Sequence, residues 1–361
     1  MSTRVLSGMR PTGNLHLGNY FGAIKQFLDL QAAGEECYFF VADIHALTEV
    51  TGPTEIDQLS VEVAKNYLAC GIDHQKSVLY RQSDVPEVSE IATLLGNTVS
   101  LAEMRRCTTY KGKRDAGIIA ELMATGMEKE DAAKMVEDER EREVLSYEQI
   151  RRIENKFSYG LLGYPVLMAS DILCVRAQRV PVGQDQTQHV EMARDIARSF
   201  NHMFKKEVLV IPELNISNPL KVPGIDGSEK MGKSDGNTIA LLENISSVAK
   251  KVRGIPTQAE AGGEMEKGTQ ALYTLMELCS PPDVHTEYLQ KYSRKEAKFF
   301  GEMKKRLAED IVALLEPIQE RYRQLTDDQV REILVQGANK VRPIAASVLA
   351  DMRSAMGLSK K

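Results

Sequence analysis

The sequence predicts an α/β protein: a doubly wound parallel sheet followed by a smaller, all-helical C-terminal domain. Short apolar runs rich in β-branched and aromatic residues alternate with helical patterns through the first part of the chain. Such alternation implies parallel strands with crossover helices on both faces. Beyond Asn237 no convincing strand remains. At 361 residues, 43% hydrophobic and 27% charged, the chain can bury one large core or two smaller ones.

The elements follow in order. RVLSGM (4–9) reads as a short buried strand, then a glycine-containing turn and a helix from about Tyr20 to Ala32. CYFFVAD (37–43) is a second strand. Residues 53–70 are helical, because Ile56, Leu59, Val61, Val63, Ala64 and Leu68 roughly follow the 3.6-residue period. SVLYRQS (77–83) is a third strand, and Pro86 stands near the next helix start, where its missing N–H costs nothing. RVPVG (179–183) and EVLVIPE (207–213) complete the strand set. Residues 110–157 are heavily charged, with eight acids against four bases between Met127 and Glu143. They read as a solvated helical hairpin inserted into the first domain, or alternatively as a partner-docking surface. The expected boundaries are a sheet domain over 1–225, a helical domain over 226–330 and a last helix over 331–361 that returns to the first domain.

Composition narrows the function classes. A net charge of −5 provides no global basic field, so nucleic-acid contact would need a local patch. Apolar runs fall far short of a membrane span and the N-terminus lacks a signal-peptide pattern. Cys37, Cys70, Cys107, Cys174 and Cys279 are scattered without a CxxC pair, which signals neither a zinc site nor a disulfide framework. A reducing, cytoplasmic setting is expected. The chain contains no tryptophan.

Three stretches carry chemistry. PTGNLHLGNY (11–20) follows a strand and opens a helix. Helix N-termini attract anions through free N–H groups and the macrodipole, and glycine lets a ligand approach closely. The spacing is neither that of the dinucleotide fingerprint nor that of the phosphate loop, and alone such a turn serves equally as a plain strand-to-helix connection. EKMGKSDGN (229–237) sets two lysines three apart in a glycine-containing loop, suited to follow charge developing on a phosphate chain; many isolated KxxK pairs are simply solvated. RVPVGQDQTQHVEMARDIARSFN (179–201) runs from strand to helix and places Asp185 and Gln186 at the strand's C-terminal end, where open parallel sheets bind ligands. An aspartate N-cap is the simpler reading there.

Together, HLGN and KMGKS resemble the two signatures of the class I aminoacyl-tRNA synthetases. With GQDQxxH added, the set is similar to the tryptophanyl subfamily in particular. VADIHALT (41–48), NYLACGID (66–73), QSDVPE (82–87), YPVLMASDIL (164–173) and the terminal SAMGL (354–358) agree. The resemblance covers nearly the whole chain except the charged insert.

It implies a Rossmann-like catalytic domain that activates L-tryptophan with ATP to the adenylate and then transfers it to tRNA(Trp). By this resemblance, Arg10, Pro11 and Thr12 with Gly18 and Asn19 would lie against ATP, and His16 and Asn19 would donate hydrogen bonds to phosphates or ribose. Gly183, Gln184 and Asp185 would contact the ribose, and the backbone near Val222 the adenine. Lys230 and Lys233, in the loop that also holds Met231, Gly232 and Ser234, would hold the departing pyrophosphate, with Mg2+ carried on the phosphates. Two departures stand out. Asn19 ends the first signature where class I usually has His, and Gly232 stands where the second usually has Ser.

For the amino acid, Met168 and Asp171 are three apart and share one helical face. A thioether against a flat bicycle with one carboxylate for its N–H suits indole, which donates once and accepts nothing. Tyrosyl enzymes of the archaeal type typically carry glutamine where Met168 stands. Tyr164 and Gln186 would hold the amino group, and Leu6 lies where bacterial relatives often place Phe. The helical domain would read the anticodon, with a homodimer letting one tRNA span both subunits. RRCTTYKGKR (105–114) would contact the tRNA backbone, form a solvated edge of the insert, or wall the active-site cleft. The competing readings are a tyrosine–tRNA ligase, a regulatory or scaffold paralogue, and a smaller adenylate-forming nucleotidyltransferase.

Overall fold

The computed structural model describes residues 3–11, 13–49, 55–183, 186–216, 221–232 and 235–358. Among them, strands β1 (Arg4–Met9), β2 (Glu36–Val41), β3 (Val78–Arg81), β4 (Arg179–Val182) and β5 (Glu213–Ile216) form one sheet in the order β3-β2-β1-β4-β5. Every pairing is parallel. The chain works outward from β1 to β3, then crosses back to β4 on the other side of β1. The order therefore reverses between β1 and β4, which is where open α/β sheets bind ligands.

Both sheet faces are covered, so the strands read as apolar runs rather than as alternations. In β2, Cys37, Phe39 and Val41 belong to one core, while Tyr38 and Phe40 belong to the other, the two-residue period of a pleated strand. Phe27 stacks on Phe39 with ring centroids 4.7 Å apart, and Phe40 stacks on Tyr80 at 5.7 Å. The first core continues into the helices Ile245–Arg253, Lys267–Cys279, Pro282–Ser293 and Phe300–Gln324. The last helix, Asp327–Ala355, lies against β3 and buries Val341, Ala345, Val348 and Met352 in the second core.

The structure departs from the sequence expectations in five places, one being that the third strand ends at Arg81 and Gln82–Asp84 form a short 3-10 helix instead of its last residues. The helix expected from about Tyr20 begins at Leu17 and passes through a π-helical stretch, Tyr20–Ile24, before Lys25–Ala32. His16 sets this early start: its Nδ1 accepts the Gly18 N–H, while Asn19 Oδ1 accepts the His16 N–H, both at 3.1 Å. The second strand ends at Val41, and Asp43 opens a short helix, Asp43–Ala46. The Asp43 carboxylate accepts the Ile44 and Ser83 N–H groups at 3.0 Å each, so it satisfies a helix start instead of extending a strand.

EVLVIPE is not a strand. Val208 and Leu209 are buried, but both N–H groups donate to Asn201 Oδ1 at 3.0 Å, and Asn201 Nδ2 donates to the Leu209 carbonyl at 2.9 Å. One side chain thus replaces a neighbouring strand, and pairing is deferred to β5, beyond Pro212, which has no N–H to give. Finally, the charged insert is more than a hairpin. Helices Thr108–Ala124, Lys129–Glu137 and Tyr147–Glu154 enclose a small core of their own, including Ile118, Leu122, Val136, Leu145, Ile150 and Ile153. A third helix is needed because two cannot cover that apolar stripe.

Candidate active site

A cavity of about 380 Å3 opens where the strand order reverses, a volume that suits a small organic ligand. Leu6, Ser7, Gly8 and Met9 of β1, with Arg10 beyond it, form one side, and Val180 and Val182 of β4 another. Leu161, Tyr164, Met168, Asp171 and Ile172 contribute a third side from the helix Tyr159–Cys174. Their spacing of three and four puts them in one stripe along that helix. The expectation that Met168 and Asp171 share a face is met, and both meet the cavity.

Asp171 forms the polar end of the cavity and is only 1% exposed. Its Oδ2 accepts from His45 Nε2 at 2.8 Å, and Gln82 Nε2 donates to both carboxylate oxygens at 2.8 and 3.0 Å. Gln82 is itself oriented, because its Oε1 accepts the Ile44 N–H at 3.1 Å. Burial pushes the Asp171 carboxyl above its usual range, against the pull of His45 and Gln82, while nearby Asp43 adds to the rise. Sequence reasoning assigned no role to His45 or Gln82. Both stand just past the C-terminal ends of β2 and β3, and that position was the available signal.

A second part of the cavity wall is also hydrogen-bonded. Tyr164 Oη lies 2.8 Å from Thr109 Oγ1 and is hydrogen-bonded to His189 Nε2. His189 Nδ1 is 3.0 Å from Gln186 Oε1. Thr109, Tyr164, Gln186 and His189 all line the cavity. Burial raises the Tyr164 hydroxyl to about 12, so it keeps its proton near neutrality. Of the readings open for RRCTTYKGKR, Thr109 supplies a wall of the cleft, while Arg105, Arg106, Thr108, Lys111, Gly112 and Lys113 are exposed as a solvated edge.

The first and second signatures meet although more than 200 residues separate them. The Leu17 N–H donates to the Ile239 carbonyl at 3.0 Å and the Leu241 N–H to the Leu15 carbonyl at 2.8 Å. A Cβ on Gly18 would stand 2.8 Å from the His16 ring and 3.4 Å from Met231 Cβ, so the helix start packs tightly on the capping histidine only because residue 18 has no side chain, and Met231 of the lysine loop lies against it. The Met231 N–H donates to the Val222 carbonyl at 2.8 Å. Asn237, also unassigned from sequence, is buried inside the loop. Its Oδ1 accepts the Gly232 N–H at 2.8 Å, and its Nδ2 donates to Ser228 Oγ at 2.7 Å and the Lys230 carbonyl at 3.2 Å.

Lys230 is exposed, Pro11 is buried, and Gly183 is half-buried just beyond β4. His16, Gly18, Asn19, Val222, Lys230, Met231 and Gly232 do not line the cavity; they form a second region beside the helix start. Thr12, Gln184, Asp185, Lys233 and Ser234 lie outside the described residues. Among the described residues, no group of three or more His, Cys, Asp and Glu side chains is placed to hold a metal ion. No single helix there is long and apolar enough to cross a membrane.

An open sheet with a cavity at its switch point and a capped helix start braced by a distant lysine loop is the frame of a nucleotide-binding α/β enzyme. The family described as tRNA synthetases class I (W and Y) matches residues 1–122 and 128–316, and the chain belongs to it. A tryptophan–tRNA ligase of Porphyromonas gingivalis is 39% identical, over 98% of each chain. The crystal structure of tryptophanyl-tRNA synthetase from Campylobacter jejuni, complexed with ADP and tryptophan, is 32% identical with a TM-score of 0.76, covering 98% of this chain and 100% of that one. A tyrosyl-tRNA synthetase of Archaeoglobus fulgidus shares the fold at 19% identity and a TM-score of 0.62, over 89% of this chain and 90% of that one.

Proposed function

We infer that the chain is a ligase that activates L-tryptophan with ATP to tryptophanyl-adenylate and transfers it to tRNA(Trp), releasing AMP and pyrophosphate. The observation that carries the choice of amino acid is the buried Asp171 at the end of a cavity lined by Met168. An ionised carboxylate only accepts hydrogen bonds, which matches the single indole N–H. A phenol hydroxyl also seeks a donor, and an unmet buried polar group costs about 1–3 kcal/mol.

In activation, an oxygen of the amino acid's carboxylate attacks the α-phosphorus and the bond to the β-phosphate bridging oxygen breaks, so pyrophosphate leaves. A tRNA terminal hydroxyl then displaces AMP from the adenylate. The protein aligns the reactants and stabilises developing charge. Tyr164 and Gln186 hold the α-ammonium, and Leu6 packs on the ring. Because His16 Nδ1 already accepts the Gly18 N–H, its neutral ring carries the proton on Nε2, the donor required toward ATP. Asn19 uses Oδ1 in the cap and turns Nδ2 to the nucleotide. Arg10, Pro11, Thr12, Gly18, Gly183, Gln184, Asp185 and Val222 complete the nucleotide contacts. Lys230 and Lys233, with Met231, Gly232 and Ser234, follow the pyrophosphate. Mg2+ is held by the phosphates and offsets their charge when bound. The helical region over 226–330 recognises the anticodon, the working form is a homodimer, and the compartment is the cytoplasm.

The test is ATP–pyrophosphate exchange with tryptophan and tyrosine side by side. Exchange with tryptophan alone is expected. Exchange with tyrosine alone would reverse the assignment, and none with either would point to a regulatory protein.

A further inference from the structure

The histidine of the GQDQxxH motif has no role in the chemistry above, yet it is 2% exposed at the cavity wall. It stands between the two side chains assigned to the substrate ammonium. Gln186 occupies the N-cap position of the helix Thr187–Phe204, but its side chain makes no capping bond; its Oε1 faces His189 Nδ1 instead. An amide oxygen can only accept, so His189 carries its proton on Nδ1, and its Nε2 must accept. The group facing Nε2 is the Tyr164 hydroxyl. Tyr164 Oη also lies 2.8 Å from Thr109 Oγ1, but its one proton cannot serve both neighbours; with that proton given to His189 Nε2, Thr109 must turn its own hydroxyl proton toward Oη, and one lone pair remains for the cavity.

We propose that His189 is a positioning residue that orients Tyr164 and Gln186 so that both present acceptor oxygens to the α-ammonium of the amino-acid substrate. This rests on the reading that the cavity takes tryptophan. An ammonium offers three donors and no acceptor, so a wall whose hydroxyl and amide were free to turn donors inward would repel it. One imidazole, locked as the Nδ1–H tautomer, sets the direction of both partners at once. His189 thus reads the charged end of the substrate, while Asp171 reads the ring.

The test uses the full chain and the emission of bound indole ligands, which the absence of tryptophan leaves uncluttered. L-Tryptophan, tryptamine (ammonium, no carboxylate) and indole-3-propionate (carboxylate, no ammonium) are titrated against wild type, His189→Leu and His189→Gln. His189→Leu should weaken tryptophan and tryptamine roughly 10-fold while leaving indole-3-propionate unchanged. His189→Gln keeps an acceptor for Tyr164 in its Oε1 and should lose less, so the proposal is still tested if the leucine variant does not fold. Equal loss of all three ligands would mean that His189 only packs the wall, and unchanged tryptophan affinity would equally overturn the proposal. A wild-type chain that binds none of the three would overturn the tryptophan reading itself.

Discussion

Asp171→Asn gives the sharpest test of how the cavity chooses its ring. The asparagine can still satisfy its neighbours. Its Oδ1 can face Gln82 Nε2, which now sits 2.8 Å from the carboxylate, and its Nδ2 can donate to His45 if that ring moves its proton to Nδ1. Folding should therefore survive. What falls is the acceptor offered to the indole N–H, which changes from a charged oxygen to a neutral one. Hydrogen bonds to charged groups contribute about 1.5–3 kcal/mol and neutral ones about 0.5–1.5. The difference, about 1–2 kcal/mol, corresponds to a loss of roughly 5- to 30-fold in kcat/KM for tryptophan. The assay is tryptophan-dependent ATP–pyrophosphate exchange, run in parallel with the benzothiophene analogue, whose sulfur replaces the N–H. The analogue should lose little between wild type and variant. An equal loss for both substrates would refute the argument, because the carboxylate would then be acting on the shape of the cavity and not on the N–H.

The same substitution has a pH signature in stability. Burial raises the Asp171 carboxyl in the folded state, so its contribution is fully present below the unfolded pKa and is lost as pH rises through the folded value. The Tm of Asp171→Asn relative to wild type should therefore improve as pH climbs from about 4 toward neutrality; a relative decline would contradict the direction. Gly18→Ala forces a Cβ to 2.8 Å from the His16 ring, and overpacking of this kind costs about 1–3 kcal/mol. It should raise KM for ATP more than KM for tryptophan in the exchange assay. At Gly232 an added Cβ would stand 2.3 Å from Oδ2 of the exposed Asp235 and displace that surface carboxylate rather than buried backbone. Gly232→Ser should keep Tm and change the activation rate, and an unchanged rate would show that the position does not matter. A Cβ at Gly337 would stand 1.9 Å from the Leu79 carbonyl oxygen of β3. Backbone cannot yield so far, so Gly337→Ala should cost about 3 kcal/mol or more in denaturant unfolding.

Much of the architecture was legible because it depends on short-range patterning. β1 to β4 lie where apolar runs stood, and the helical C-terminal region follows from periodicity alone. One misreading arose where a single side chain took the place of the expected strand partner. Asn201 satisfies the backbone of Val208 and Leu209, so an apolar run that looked like a strand is held as a loop. In the insert, eight acids drew the reading toward a solvated hairpin, while the apolar positions that close a three-helix core were too sparse to stand out.

The site divides along the same line. The sequence by itself determined the residue types: a glycine-containing helix start, a paired-lysine loop, and Met168 and Asp171 one helical turn apart. Spacing along one helix is local geometry, so that pair could be placed on one face without a structure. Only the tertiary structure decided which distant groups meet. His45 and Gln82 reach Asp171 across 126 and 89 residues, Met231 closes on Gly18, and Thr109 of the insert joins Tyr164 and His189 at the cavity wall. These contacts depend on strand order and on the crossing from β3 back to β4 that brings the C-terminal ends of β1 and β4 side by side. No local pattern encodes that adjacency, because it exists only once the sheet has assembled and both of its faces are buried.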